Sequence, residues 1–311
     1  MTRIQELMAN DTAGDPMTGL KWTHRTTAKI AAALESLGIR ISDRTVAKLL
    51  KKMGFSLRVN HKKLSGASPE DRDAQFTCIT ELRERCAAQS LPIISIDSKK
   101  RELVGCFKNQ GKSWEREPVF VNDHDFPSDA NGVAIPYGVY DLHANRGTVF
   151  VGTTKDTPSF AIDCIEKWWR TEGRQRYPNA NQLAILADGG GSNAARSRIF
   201  KYGLQTRLCN HHGIKITVAH YPTGASKWNP IEHRLFSEIS KNWAGRPLDS
   251  YDTILRHLRT TSTTTTGLRV RAHLVRKPYK KGVKITNDQM NHLNITRDED
   301  LPKWNYELQP N

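Results

Sequence analysis

The stretch Leu183-Ala-Ile-Leu-Ala-Asp188-Gly-Gly-Gly-Ser-Asn193 restricts the fold more than any other part of the 311-residue chain. An apolar run with no alternation suits a strand covered on both faces, as in the parallel part of an α/β sheet. Ligands of such sheets sit outside the carboxyl ends of the strands, and Asp188 stands at that end. Consecutive glycines let the backbone turn sharply beside something bulky, and Ser192 or Asn193 is placed to cap a following helix. A P-loop is excluded, because no Lys-Ser/Thr pair follows the glycines. The plain alternative is an aspartate in an ordinary strand-to-helix turn, so the neighbouring elements must decide.

Upstream, Pro92-Ile-Ile-Ser-Ile-Asp97 is a second strand ending in an aspartate, followed at once by the cationic Ser98-Lys-Lys-Arg101. A hairpin is expected from Pro136–His143 and Thr148–Gly152, and a helix from Thr157-Pro158 through Trp168 and Trp169. After Asp188, Phe200, Leu204 and Leu208 recur at helical spacing, Ile214–Val218 reads as a strand, and Lys227-Trp-Asn-Pro-Ile-Glu232 opens another helix. Strand-strand-strand-helix-strand-helix-strand-helix is the order of an α/β, ribonuclease H-like fold with a mixed five-stranded sheet and flanking helices. Carboxylates from strand one, strand four and the last helix converge in it, and Asp97, Asp188 and Glu232 fall on those elements. Three anionic side chains suit two divalent ions, Mg²⁺ or Mn²⁺, about 4 Å apart, which activate a nucleophile and stabilise the leaving oxygen of a phosphate. Lys99, Lys100 and Lys227 are placed to hold phosphate nearby. Two rivals stand beside this reading. Glu232 with Asn229 and Pro230 resembles a helix-capping box, and Asp141 inside the hairpin is a competing acid.

The rest of the chain divides by composition. Residues 1–20 are polar and interrupted by Gly14, Asp15, Pro16 and Gly19, which predicts a flexible lead-in. Residues 21–66 predict a small winged helix-turn-helix domain. Ile30, Leu34 and Leu37 share a face of its first helix, which Gly38 stops; Ser42 caps a second helix with Val46, Leu49, Leu50 and Met53 as its apolar stripe and Gly54 at its end. That second helix exposes Arg44, Thr45, Lys48, Lys51 and Lys52, and Phe55–Val59 with Lys62 and Lys63 reads as a basic wing. A helical hairpin with a solvated cationic face is the alternative. Residues 67–90 read as a connecting helix, 91–260 as the catalytic domain and 261–311 as a basic C-terminal extension.

A formal charge of +15 and a pI near 9.7 call for a polyanionic partner, foremost DNA. Five scattered cysteines with no Cys-x-x-Cys pair predict reduced thiols rather than a zinc site. With no long apolar run and no signal peptide, no membrane role is expected, and the location is cytoplasmic and DNA-associated.

The motifs Ile94-Ser-Ile-Asp-Ser-Lys-Lys100, Glu102-Leu-Val-Gly105, His124-Asp-Phe-Pro127, Ile135-Pro-Tyr-Gly-Val-Tyr-Asp141, Ala187-Asp-Gly-Gly-Gly-Ser-Asn193 and Ser226-Lys-Trp-Asn-Pro-Ile-Glu-His-Arg-Leu-Phe236 resemble the Rhodopirellula-type DDE transposases of bacterial insertion sequences, relatives of the mariner-like group. The resemblance runs from about Asp15 to Tyr306 and carries the family's acid triad onto Asp97, Asp188 and Glu232. It implies Mg²⁺-dependent cleavage at element ends and strand transfer to target DNA, by a homodimer or larger assembly on DNA. Members usually carry more chain before the segment matching Thr26. The alternatives are therefore a shortened, inactive DNA-binding repressor, or a ribonuclease H-like nuclease or resolvase.

Overall fold

The computed structural model of the protein describes residues 2–9, 12–14, 21–23, 26–55, 69–113, 115–222, 224–225 and 228–311. They form two compact units, residues 1–64 and 65–311.

In the first unit α1 (Thr2–Ala9) occupies part of the expected lead-in, and a short antiparallel ribbon joins β1 (Thr12–Gly14) to β2 (Lys21–Thr23). The helix forms because Ile4 has somewhere to go: it is buried with Ile30, Leu34 and Val46. The other two helices follow their caps. Thr26 Oγ1 accepts from Lys29 N at 3.2 Å to start α2 (Thr27–Glu35), and Ser42 Oγ accepts from Thr45 N at 3.2 Å to start α3 (Asp43–Lys52). Gly38 and Gly54 take φ of +80° and +84°, the left-handed turn that ends each helix. Arg44, Thr45, Lys48, Lys51 and Lys52 are all exposed on α3. The expected wing, with Lys62 and Lys63, lies outside the described residues.

The second unit begins with α4 (Pro69–Ala88), expected as a connector. It has a packing role of its own: Ile79, Leu82 and Cys86 are buried against Ile93, Ala184, Leu186 and Ala219 of the sheet. The sheet comprises β3 (Ile93–Ser98), β4 (Glu102–Val104), β5 (Gly132–Asp141), β6 (Arg146–Gly152), β7 (Gln182–Asp188), β8 (Lys215–Tyr221), β9 (Arg269–Val275), β10 (Ile295–Arg297) and β11 (Asn305–Leu308). Their order is β10-β11-β8-β7-β3-β5-β6-β9, with β4 on β5. Within it β6-β5-β3-β7-β8 is the expected ribonuclease H-like core: β5 runs antiparallel to β3 and β6, while β7 is parallel to β3 and β8. The expected count of five strands is too low, and residues 261–311 are no appendage. They give β9, parallel on β6, and β11, antiparallel on β8.

Helices cover both faces. On one, α5 (Pro158–Trp168) is capped by Thr157 and runs through a π-helical turn into α6 (Arg174–Arg176). Beside it α7 (Arg198–Gly203) continues through a similar turn into α8 (Asn210–His212). Phe160, Ile165, Trp168, Phe200 and Leu204 are fully buried there against Ile96, Ile185 and Val218, each contributing about 1.5–3 kcal/mol. The cap of α7 is Ser197, not Ser192 or Asn193 as expected: its Oγ accepts from Phe200 N at 3.2 Å. On the other face a π-helical turn, Glu232–Phe236, leads into α9 (Ser237–Asn242), followed by α10 (Tyr251–Thr260). Leu235, Phe236, Ile254 and Leu258 pack there on Tyr140, Val149 and Val270. A last short helix, α11 (Asn287–Asn291), precedes β10. No described helix is long and apolar enough to cross a membrane.

Candidate active site

The parallel register of β3 and β7 pairs Ile96 with Ala187, which sets Asp97 and Asp188 side by side at the carboxyl ends of adjacent strands. Each carboxylate accepts from the next backbone N–H: Ser98 N to Asp97 Oδ1 at 2.7 Å, and Gly189 N to Asp188 Oδ1 at 2.6 Å. Beyond Asp188 the chain turns through Gly191 at φ +62°, where an added Cβ would meet nothing within 4 Å, so the mouth is open on this side. The far end of the loop is tied down. Tyr137 OH donates to Asn193 Oδ1 at 2.8 Å, and His220 Nε2 lies 3.0 Å from the Asn193 carbonyl.

Glu232 reaches this edge because the strand beneath it has no side chain. Gly138 stands opposite Asp97 in β5, and a Cβ there would lie 2.7 Å from Phe236 and 2.8 Å from Ile231. Ser95, two residues before Asp97 and on the same strand face, donates to Asn229 Oδ1 and anchors the start of the helix. The capping-box alternative fails at this point. The Asn229 carboxamide oxygen is turned to Ser95, and the Glu232 carboxyl shares a hydrogen bond with Asp97.

Burial, then the charges of Asp188 and Glu232, push the Asp97 carboxyl up to about 8 against the opposing Ser98 N–H. Glu232 is raised as well, chiefly by burial, with the Asp97 hydrogen bond and the Lys99 charge working the other way. Both shifts disfavour the fully ionised pair. Lys99 is half-enclosed, its Nζ 3.3 Å from Glu102 Oε1 and 4.7 Å from the centre of the Trp243 ring. Lys100 is exposed, and Lys227 lies outside the described residues. Among the described residues no three His, Cys, Asp or Glu side chains close on a single point. The arrangement is instead one acid, Asp97, on which two others act. Carboxyl oxygens that burial and mutual repulsion keep from ionising together are the donor set a hard divalent cation fits.

Asp141, the competing acid, lies at the opposite end of this pairing, across from Ile94. It is fully buried and saturated: Arg176 Nη1 donates at 2.7 Å, Tyr177 OH at 2.9 Å and Ala144 N at 3.0 Å. Its role is to close the β5–β6 turn. Asp141→Asn removes the charge facing Arg176, which keeps only Glu172 at 3.7 Å, and is expected to cost about 3 kcal/mol, read as a drop in melting temperature; an unchanged melt would contradict that role.

The sequence reading singled out neither Ser95 nor Gly138, and Asn229 stood there only as a helix cap. A glycine within the otherwise bulky Tyr137-Gly-Val-Tyr140 was the available signal for Gly138, since such a gap marks a close approach. For Ser95 and Asn229 the pairing is visible only in three dimensions.

Topology and acid placement together define a ribonuclease H-like protein with a carboxylate centre at the strand ends. The sequence matches the Rhodopirellula transposase DDE domain family over residues 3–310, and the chain belongs to that family. It is a DDE transposase, a polynucleotidyl transferase. No curated protein matches the sequence. Among solved structures the chain is similar to the Mos1 transposase paired-end complex with left transposon end, at 16% identity and a TM-score of 0.43 over 82% of this chain and 68% of that one. It is similar to a pre-cleavage Mos1 transpososome at 15% identity and a TM-score of 0.45, over the same shares. The simian T-cell lymphotropic virus intasome in complex with PP2A regulatory subunit B56 gamma is more distant, at 13% identity and a TM-score of 0.28 over 63% of this chain and 62% of that one.

Proposed function

We propose that Asp97, Asp188 and Glu232 are the catalytic acids of an insertion-sequence transposase that cuts DNA at the ends of its element and joins the freed 3′-hydroxyl to target DNA. In each step one P–O bond forms and one breaks: a water oxygen displaces the 3′-oxygen at the element end, and that 3′-oxygen then displaces a 3′-oxygen of the target. The observation that carries the reading is the register that sets Asp97 and Asp188 side by side at the strand ends, with Glu232 brought to the same edge over Gly138. Such a cluster weakens a fold unless it serves a cation. Two Mg²⁺ or Mn²⁺ ions are the proposed cofactors; when bound they supply positive charge to the entering and leaving oxygens. Asp97, Asp188 and Glu232 would hold them. Lys99 holds charge opposite Glu232 while Lys100, with Lys227, meets phosphate. The cations of α3 read the element ends, while Lys62 and Lys63 contact phosphate. A homodimer or larger assembly on DNA pairs the two ends.

Purified protein incubated with labelled element ends is expected to nick them in Mg²⁺ or Mn²⁺ and to stop in EDTA. Binding of the ends without cleavage in either metal would overturn the reading.

A further inference from the structure

Between Asp252 and Asp288 the chain carries nine Lys and Arg residues and no Asp or Glu. The fold gives this asymmetry a location. Among the described strands β9 ends the sheet; its Val270 and Ala272 are buried beside α10, while Arg269 and Arg271 are exposed on the alternate face. That face belongs to α5, since His273 stacks on Phe150 with ring centres 5.4 Å apart. Where β9 leaves the sheet, Arg276 and Lys277 line a cavity of about 340 Å³ shared with Lys167, Arg170 and Arg207.

The acids in that cavity are already satisfied. Asp163 accepts from Lys277 at 2.7 Å, from Tyr279 OH at 2.8 Å and from Arg207, and Glu166 pairs with Arg170 at 3.3 Å. Those donors hold the Asp163 carboxyl below its ordinary value despite burial. The local field is positive: after burial, the charges of Lys167, Arg259 and Arg271 help keep His273 from protonating. Among the described residues Arg269, Arg276, Lys280, Lys281 and Lys284 have no ion-pair partner, and all are exposed.

Strand direction sets this surplus near the acids. β6 and β9 run the same way as β3, so Arg276 emerges at the same edge of the sheet as Asp97 and Asp188. Three inter-strand steps separate β3 from β9, about 14 Å, and Arg276 lies four residues, about 13 Å, beyond Ala272, which is level with Asp97. The two offsets together, about 20 Å, are about one duplex width.

We propose that the end of β9 and the segment 276–284 form a phosphate-binding track for the backbone of the duplex that lies across the acids. The inference rests on the DNA reading above and adds a surface to it. The contacts are to phosphate, so they serve any sequence alike.

The test compares salt titrations of binding to a random-sequence duplex by the full chain and by the triple variant Arg276→Ser, Lys280→Ser, Lys281→Ser. Each phosphate that is no longer neutralised lowers the slope of log K against log salt by about 0.9. The triple variant should lose about two to three from the slope and bind ten- to a hundredfold more weakly near 0.1 M salt. Arg83→Ser with Arg85→Ser and Arg174→Ser removes the same charge from the exposed surface at the opposite edge, in α4 and α6, and should keep nearly the full slope. The variant Lys284→Ser probes the far end of the track independently and should lose about one. A full chain that binds while both track variants keep its slope would overturn the track alone, as would equal losses in the control. A full chain that binds no duplex would overturn the DNA reading with it.

Discussion

Glu232→Gln is expected to lower strand cleavage by about a thousandfold or more while leaving fold and DNA affinity unchanged. The side chain keeps its length and can still meet Asp97, but it no longer carries the negative charge that a metal ligand needs. Removing several kcal/mol of charge stabilisation from a phosphoryl transfer corresponds to this scale, since each 1.36 kcal/mol is tenfold. Asp141→Asn is the informative companion, because its acid is buried under Arg176 and Tyr177. It should melt earlier yet cleave a supercoiled donor in Mg²⁺ once folded. If Glu232→Gln cleaved normally and folded Asp141→Asn did not, the site would have to be reassigned.

Asp97→Asn should abolish cleavage and, unusually for a buried polar change, stabilise the metal-free protein at alkaline pH. In the folded chain Asp97 holds its proton up to about pH 8, whereas unfolded it ionises near pH 4. Between those values the folded state binds more protons, so wild-type stability falls as pH rises through this window. Asparagine has no proton to lose and escapes that fall. At pH 8 in EDTA the variant is expected to gain about 2 kcal/mol, a rise of several degrees in melting temperature, and the gain should vanish towards pH 4. Mg²⁺ should then raise the wild-type melt more than that of the variant. A variant that melts lower at pH 8, or a difference that does not change with pH, would contradict the account of Asp97.

The sequence carried the centre of this fold because its central elements speak locally. Uninterrupted burial of Leu183 to Ala187, the caps Thr157 and Ser42, and the stops at Gly38 and Gly54 each follow from a few adjacent residues. Strands β9 and β11 were not legible in that way. Arg269–Val275 alternates, but arginines beside a threonine-rich run read equally well as loop, and only the parallel partner β6 makes it a strand. The lead-in was misread for the same reason, since Ile4 looks isolated until Ile30 and Leu34 surround it. At the site, strand order selected Asp97, Asp188 and Glu232 and left two rivals open. Two long-range hydrogen bonds bear on those rivals, from Ser95 to Asn229 and from Arg176 to Asp141, and no sequence spacing announces them.

Diffraction from crystals grown with Mn²⁺, recorded so that the metal's anomalous signal locates it, addresses the three acids most directly. The account predicts Mn²⁺ bound to Asp97 in contact with Asp188 and Glu232, and its loss in Asp97→Asn crystals of the same form. Anomalous peaks confined to other carboxylates, such as Asp141 with Glu172, or peaks that persist unchanged in Asp97→Asn, would contradict it.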